Sequence, residues 1–257
     1  MVEYFSNQLY IYPIKSIAGI PVRALNITDQ GLEFDRFWML VNENYQMLSQ
    51  RDFPKLNLLK IFEDENSFKI QNPSKPDNYI EISKNINTIR NVEASIWDQR
   101  VQATLVDFKV SDWFSEFLNA KVLLLANALR LKTKRINDKN YELQLNFQDG
   151  YPIHLVNLKS VTDLSKMCNL NIEPERFRAN IYIDLPEPYV EDQMKYIRIN
   201  GIEFEFLKPC ERCIMINLKS RSSFFTKEPL KTLSTYRKHS NKIQFGSYIK
   251  PIQMLNF

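Results

Sequence analysis

IEFEFLKPCERC, residues 202–213, decides how this chain is to be read. Ile202, Phe204 and Phe206 share one face and Glu203 and Glu205 the other, the period of two that marks a half-buried strand. Pro209 has no N–H for a ladder, so the strand is expected to stop at Leu207, with Cys210 in the connection to a further strand over Ile214–Leu218. On that reading Cys210 stands at a strand end, open to a cleft, and Cys213 points towards burial. The two thiols, three apart, fit a redox disulfide, half of a zinc site, or one metal ligand beside a bystander.

The rest of the sequence narrows those options. A zinc site needs further Cys or His ligands, and the chain offers only Cys168, His154 and His239, with no second CxxC or HxxxH pair. A thioredoxin-like pair opens a helix, whereas Ile214–Leu218 reads as strand. A single thiolate is favoured by Lys208 and Arg212, because nearby cations stabilise the form that binds metal or attacks electrophiles. By spacing alone the choice stays open.

Outward from this stretch, strand patterns prevail. In the first hundred residues short apolar or alternating runs (Leu9–Ile14, Val22–Ile27, Phe37–Val41, Leu56–Phe62, Phe68–Ile70, Tyr79–Ile82, Val101–Leu105) are separated by turn signals, as in a barrel or sandwich. Val110, Trp113, Phe114, Phe117 and Leu118 instead lie on one helical stripe, and a second helix is expected over Leu158–Cys168. Cys168 falls on the apolar face of that helix and reads as core. Strands return at Asn180–Ile183 and Tyr196–Ile199. The fold class expected is α+β, predominantly β, with a boundary in the polar, basic stretch near residues 125–135.

Composition sets limits. A chain of 257 residues, 44% hydrophobic and with only 5 glycines, can bury a substantial core. No stretch reaches the roughly 18 apolar residues of a membrane span. The N-terminus lacks the pattern of a signal peptide, and three cysteines do not suit a disulfide framework, so a cytoplasmic location is expected. A net charge of +4 is too mild to mark a nucleic-acid binder; the densest basic run, Arg130–Arg135, reads as a solvated strand or linker.

Three further segments carry chemistry: Tyr12–Ser16 with Lys15 and Ser16, Asp35–Arg36, and Arg176–Asn180 with Arg178 and Asn180. Guanidinium and ammonium groups suit a phosphate if they converge. Together with YPIKSIAGI (12–20), GLEFDRFWMLVNENYQMLSQRDFPKL (31–56), IWDQRV (96–101), FQDGYPIHLV (147–156), RFRANIYID (176–184), YVEDQ (189–193), KPCERC (208–213) and EPLKTLSTYR (228–237), they carry a resemblance. The chain resembles the MOSC-domain molybdenum-cofactor proteins that have an added N-terminal β-barrel domain, the branch of the mitochondrial amidoxime-reducing component and its bacterial relatives.

The resemblance implies a β-barrel-like domain over residues 1–128 and a β-rich MOSC domain with a few helices over 129–257. It implies the molybdenum cofactor (Mo-molybdopterin), with Cys210 as the protein ligand to the metal. It places Lys15, Ser16, Arg36, Arg178, Asn180 and Pro209 around the pterin and its phosphate, and Asp149, Gly150 and Tyr151 on the approach to the metal. Asp149 is the candidate proton donor or partner of a metal-bound oxygen. The implied reaction reduces N-hydroxylated compounds, R–NH–OH, to R–NH₂ and water.

The sequence departs from the pattern in two ways. It ends at Phe257 and has too few cysteines for a Cys₄ iron–sulfur site besides the molybdenum ligand, so electrons are expected from a separate carrier such as a flavodoxin or ferredoxin, acting on a monomer. Ala179 replaces a proline common in relatives, which should cost some rigidity and no ligand. The alternatives are a persulfide-transfer protein using Cys210, related to molybdenum-cofactor sulfurase, and a cofactor-binding protein without turnover.

Overall fold

The computed structural model describes residues 2–126, 130–136 and 139–252. Its framework is a nine-stranded mixed sheet. Along it the strands Glu3–Tyr4, Tyr196–Ile199, Ile202–Arg212, Lys242–Pro251, Ile153–Asn157, Ile181–Ile183, Gln8–Ile11 and Ile20–Val22 follow in order, with Lys238–His239 paired to Lys242–Pro251 off that path. Strands from the first 22 residues are thus built into a sheet supplied mainly by residues 153–251.

A four-stranded sheet pairs Thr88–Ile96, Gln99–Val106, Leu123–Ala126 and Trp38–Val41. All four residues of Trp38–Val41 are buried, because both faces of the strand are covered. Trp38 and Leu40 enter the largest core cluster, while Met39 and Val41 enter a second, with Val101, Ala103 and Phe147. The largest cluster also takes Phe68 and Ile70 from a three-stranded meander and Leu155, Ile181, Ile197 and Phe204 from the large sheet. One continuous core therefore joins both halves of the chain.

Helix α1, Phe108–Leu118, buries Val110, Phe114 and Leu118, while Trp113 and Phe117 are only partly covered at the edge of the expected stripe. Asp107 caps it by accepting from the Val110 N–H. Helix α2, Leu158–Cys168, has the expected bounds; Val161 and Leu164 are buried, and Cys168 packs partly buried against the same cluster. Helix α3, Leu230–Tyr236, was not legible, since it is only seven residues long and buries Leu233 alone. Among the described residues no helix is long and apolar enough to cross a membrane.

Around residues 202–213 the structure corrects the sequence reading. The strand does not stop at Leu207 but runs to Arg212 through Pro209, which stands opposite Ser247. The ladder shifts register between Phe206 and Lys208 and again between Pro209 and Glu211. Such irregularities are where a strand tolerates a residue without an N–H. Ile214–Asn217 is a 3₁₀ turn rather than a strand, and the burial of the cysteines is reversed: Cys210 is 3% exposed and Cys213 is exposed. The basic run Arg130–Ile136 forms a two-stranded ribbon with Lys139–Leu145.

Candidate functional site

Strand ends and turns from both halves meet at one cleft with about 180 Å³ of open space. Lys15, Ser16, Arg36, Asp149, Gly150, Tyr151, Arg178, Asn180 and Cys210 all line it. Pro209 does not; its place is in the strand beside Ser247.

The floor is organised by Asp35, which is fully buried. Its carboxylate accepts two hydrogen bonds from the Arg36 guanidinium, at 2.7 and 2.8 Å, one from Asn180 Nδ2 at 3.0 Å and one from the Tyr12 N–H at 2.9 Å. Asn180 Oδ1 accepts from the His154 N–H. Sequence reasoning gave Asp35 no role beyond a neighbour of Arg36, yet it joins three of the segments that line the site.

Arg36 and Arg178 both lie over the Tyr12 ring, 4.2 and 4.4 Å from its centroid. Arg36 is neutralised by Asp35, but Arg178 donates to the Ile17 carbonyl and, among the described residues, has no carboxylate within ion-pair distance. Burial first, and then the nearby Arg36 charge, bring the Arg178 guanidinium down to about 10. A cation so placed favours an anionic ligand. Ser16, Arg36 and Arg178 all have left-handed backbone, with φ of 69°, 49° and 52°. That conformation costs on the order of 1–3 kcal/mol at each non-glycine residue and is held here by the surrounding contacts.

Arg212 is one of the two cations that sequence reasoning assigned to the thiol. It donates to the carbonyls of Phe245 and Phe177 and, through Nη2, faces His154 Nε2 at 2.5 Å. Burial, then Arg212 and Arg36, push His154 well below its usual range, so the ring is neutral and Nε2 accepts. The close strand approach that permits this needs Gly246: at its φ of 68° a Cβ would lie 2.7 Å from the Leu155 carbonyl oxygen and 3.0 Å from His154 Nε2.

Burial pushes the Cys210 thiol up, with Arg212 and a hydrogen bond from Tyr248 acting against it. Lys208 is spent on Glu211, 2.8 Å away, and is not the close partner of the thiol expected from the sequence. Tyr248 stacks on Tyr151 at 4.5 Å and stands beside His154, making an aromatic wall next to Cys210.

The loop 147–151 crosses the cleft opposite this wall. Lys15 donates to the Phe147 carbonyl at 2.8 Å and to Asp149 Oδ1 at 2.6 Å, and Trp97 Nε1 donates to the same oxygen at 2.9 Å. The Asp149 side chain is 65% exposed at the cleft mouth; desolvation by the surrounding walls acts to raise its carboxyl, but Lys15, Trp97 and Arg36 hold it below the usual carboxylate range. In this arrangement Asp149 Oδ1 is an acceptor for both Lys15 and Trp97. Trp97, in a tight turn at φ 56°, also lies under Arg51, whose Nη2 points at Cys213 Sγ. Trp97 and Arg51 were not singled out from the sequence, because only the fold brings the 95–100 hairpin to the cleft.

Ala179 has a use for its N–H, which donates to the Tyr182 hydroxyl at 3.0 Å; a proline would remove that bond.

The family description MOSC N-terminal beta barrel domain fits residues 6–121, and MOSC domain fits residues 142–254. Molybdenum cofactor sulfurase from Oryza sativa subsp. japonica is 29% identical over 265 residues, covering 93% of this chain and 32% of that protein. The sulfurase of Danio rerio is 30% identical over 266 residues, covering 95% and 31%. Mitochondrial amidoxime reducing component 2 from Rattus norvegicus is 29% identical over 246 residues, covering 90% and 72%. The chain spans about a third of the length of the sulfurases it matches. With matched segments from residue 6 to residue 254 and a mainly β fold, the chain is a MOSC protein in which a MOSC N-terminal β-barrel domain precedes a MOSC domain.

Proposed function

We propose that this protein is a molybdenum-cofactor-dependent reductase of N-hydroxylated compounds, a cytoplasmic monomer that receives electrons from a separate carrier protein. The observation that carries the reading is one cleft holding a buried thiol, Cys210, together with Arg178 and Arg212, neither of which has a carboxylate partner among the described residues. Among those residues no group of three or more His, Cys, Asp and Glu side chains is placed to hold a metal. A metal at Cys210 would then take other ligands from an organic cofactor, and the cations suit that cofactor's phosphate.

When bound, the cofactor supplies a two-electron reductant with affinity for oxygen, so that R–NH–OH, two electrons and two protons become R–NH₂ and water. The chain's own residues place and enclose it. Cys210 gives the sulfur ligand from a rigid strand. Arg178 and Arg36, fixed over Tyr12, hold negative charge on the floor, and Ser16 and Asn180 add polar contacts. Lys15 and Asp149 lock the 147–151 loop at the entrance, and Trp97 narrows it. Asp149 orients donors of the substrate as an acceptor, while protons come from solvent at the open side.

The test is molybdenum content per chain after expression in a host that makes the cofactor, beside turnover of an amidoxime with a chemical reductant. Near-stoichiometric metal that is lost in Cys210→Ala, with turnover lost in parallel, is the expected result. Well-folded, metal-free protein from a cofactor-replete host would sink the reading. The sulfurase relatives favour one second reading, a persulfide on Cys210. Its burial opposes sulfur exchange with a partner, and a one-sulfur mass increment on Cys210 in metal-free protein is the result that would bring it forward.

A further inference from the structure

Beyond the cleft, residues 217–228 form a tight surface turn that neither the fold nor the cofactor site requires to be apolar. Phe224 is 76% exposed and Phe225 is also exposed. Around them stand Lys219, Arg221 and Lys227, all exposed, and none has a carboxylate within ion-pair distance among the described residues. Four residues after Cys210, Ile214 adds a further exposed apolar side chain on the same segment. Large aromatic side chains ringed by uncompensated cations are the composition of a protein-binding hot spot with a charged rim.

The turn is rigid and wired to the cleft. The Lys219 N–H donates to the Phe224 carbonyl, and Leu218 and Phe225 form a β-bridge. Arg176, which lines the cleft, donates to the carbonyls of Asn217, Leu218 and Glu228 and to Thr226 Oγ1. From the other half of the chain Asn57 Nδ2 donates to the carbonyls of Lys219 and Ser222, both at 2.8 Å. A surface held this firmly presents its aromatic anchor with little ordering cost on association.

We propose that this turn is the docking surface for the electron carrier, an acidic redox protein that seats an apolar spot on Phe224 and its carboxylates on Lys219, Arg221 and Lys227. This rests on the reductase reading. In each turnover two one-electron carrier molecules dock and are oxidised in succession, and R–NH–OH takes their two electrons and two protons from solvent to give R–NH₂ and water. Met215 and Ile216, which line the cleft, lead directly into the turn, so the docking surface is joined to the site by a few residues of chain. Charge steering makes such an encounter fast and salt-sensitive.

The test uses the full chain and two probes, an acidic flavodoxin and a plant-type [2Fe–2S] ferredoxin. Binding is measured by calorimetry at low and high salt, and turnover is measured with each reduced carrier and with a reduced viologen. The expectation is that Phe224→Ala and the triple variant Lys219→Glu, Arg221→Glu, Lys227→Glu each weaken carrier binding at least about tenfold. The triple variant also loses the salt dependence, while viologen-driven turnover and unfolding midpoint stay at the wild-type level. Equal binding by variants and wild type, or no binding of either carrier by the wild type, overturns the proposal. So does binding of phosphatidylserine vesicles in place of both carriers, which would assign the patch to a lipid surface. Absence of viologen-driven turnover in metal-loaded wild type counts against the reductase reading alone, because the calorimetry still decides the surface.

Discussion

The floor of the cleft and its rim both present arginines, and the two sets behave differently. On the floor Arg36 and Arg178 are sunk around Tyr12, and each hydrogen bond they make goes to Asp35 or to a backbone carbonyl. On the rim Arg51 rests on Trp97 and a thiol, facing water. Burial makes an unmatched charge expensive, so Arg36, matched by Asp35, belongs to the architecture, while Arg178 is left with a carbonyl and the Tyr12 ring. The rim can change with little effect on the fold, which leaves it free to set what enters.

The largest expected effect tests whether the floor is structural. Asp35→Ala leaves Arg36, Asn180 and the Tyr12 N–H without their acceptor, and about 3–5 kcal/mol should be lost in urea unfolding. A loss under about 1 kcal/mol would mean that the floor is no more structural than the rim.

Arg178→Met separates the two floor arginines. Removing an unpaired, desolvated cation should leave unfolding stability level or higher. Molybdenum content should fall by ten- to a hundredfold, about the 1.5–3 kcal/mol of a hydrogen bond to a charged group. Unchanged metal content would remove Arg178 from the anion site.

Next comes pH. His154 in the fold lies below its unfolded value of 6.5, so the unfolded chain takes up the proton first as pH falls. Stability from this group is full above about 6.5 and is lost on acidification, with a slope approaching about 1.4 kcal/mol per pH unit. His154→Gln keeps an acceptor for Arg212 and should flatten that slope; an unchanged slope would place its origin elsewhere on the floor.

The smallest effect belongs to the rim. Arg51→Ala should change unfolding stability by less than about 1 kcal/mol, the range for an exposed cation–π contact. KM for an N-hydroxylated substrate should move more than kcat. A larger stability loss would make the rim an extension of the floor.

Legibility in the sequence followed the same division. Helices α1 and α2 were readable because their apolar residues repeat with the helical period against one core face. The strand Thr88–Ile96 was missed because its first four residues are all exposed, leaving no alternation to read. Pro209 misled for a local reason: its missing N–H argues for a strand end unless a register shift absorbs it, and only the partner strand supplies that shift. Of the site, the segments that meet at the cleft were legible as a set through resemblance. The long-range pairings were not: Lys15 with Asp149 and Arg212 with His154 join residues far apart in sequence.

What the sequence by itself determined is the class of chain: mainly β, with two amphipathic helices, a thiol between cations and phosphate-suited residues in ordered segments. Those properties depend on residue type and short-range period, which every chain segment carries with it. What only the tertiary structure decided is which thiol is enclosed and which cation stays uncompensated. Burial and charge balance depend on neighbours more than a hundred residues away, as when Asp35 satisfies Asn180 and leaves Arg178 without a counter-ion.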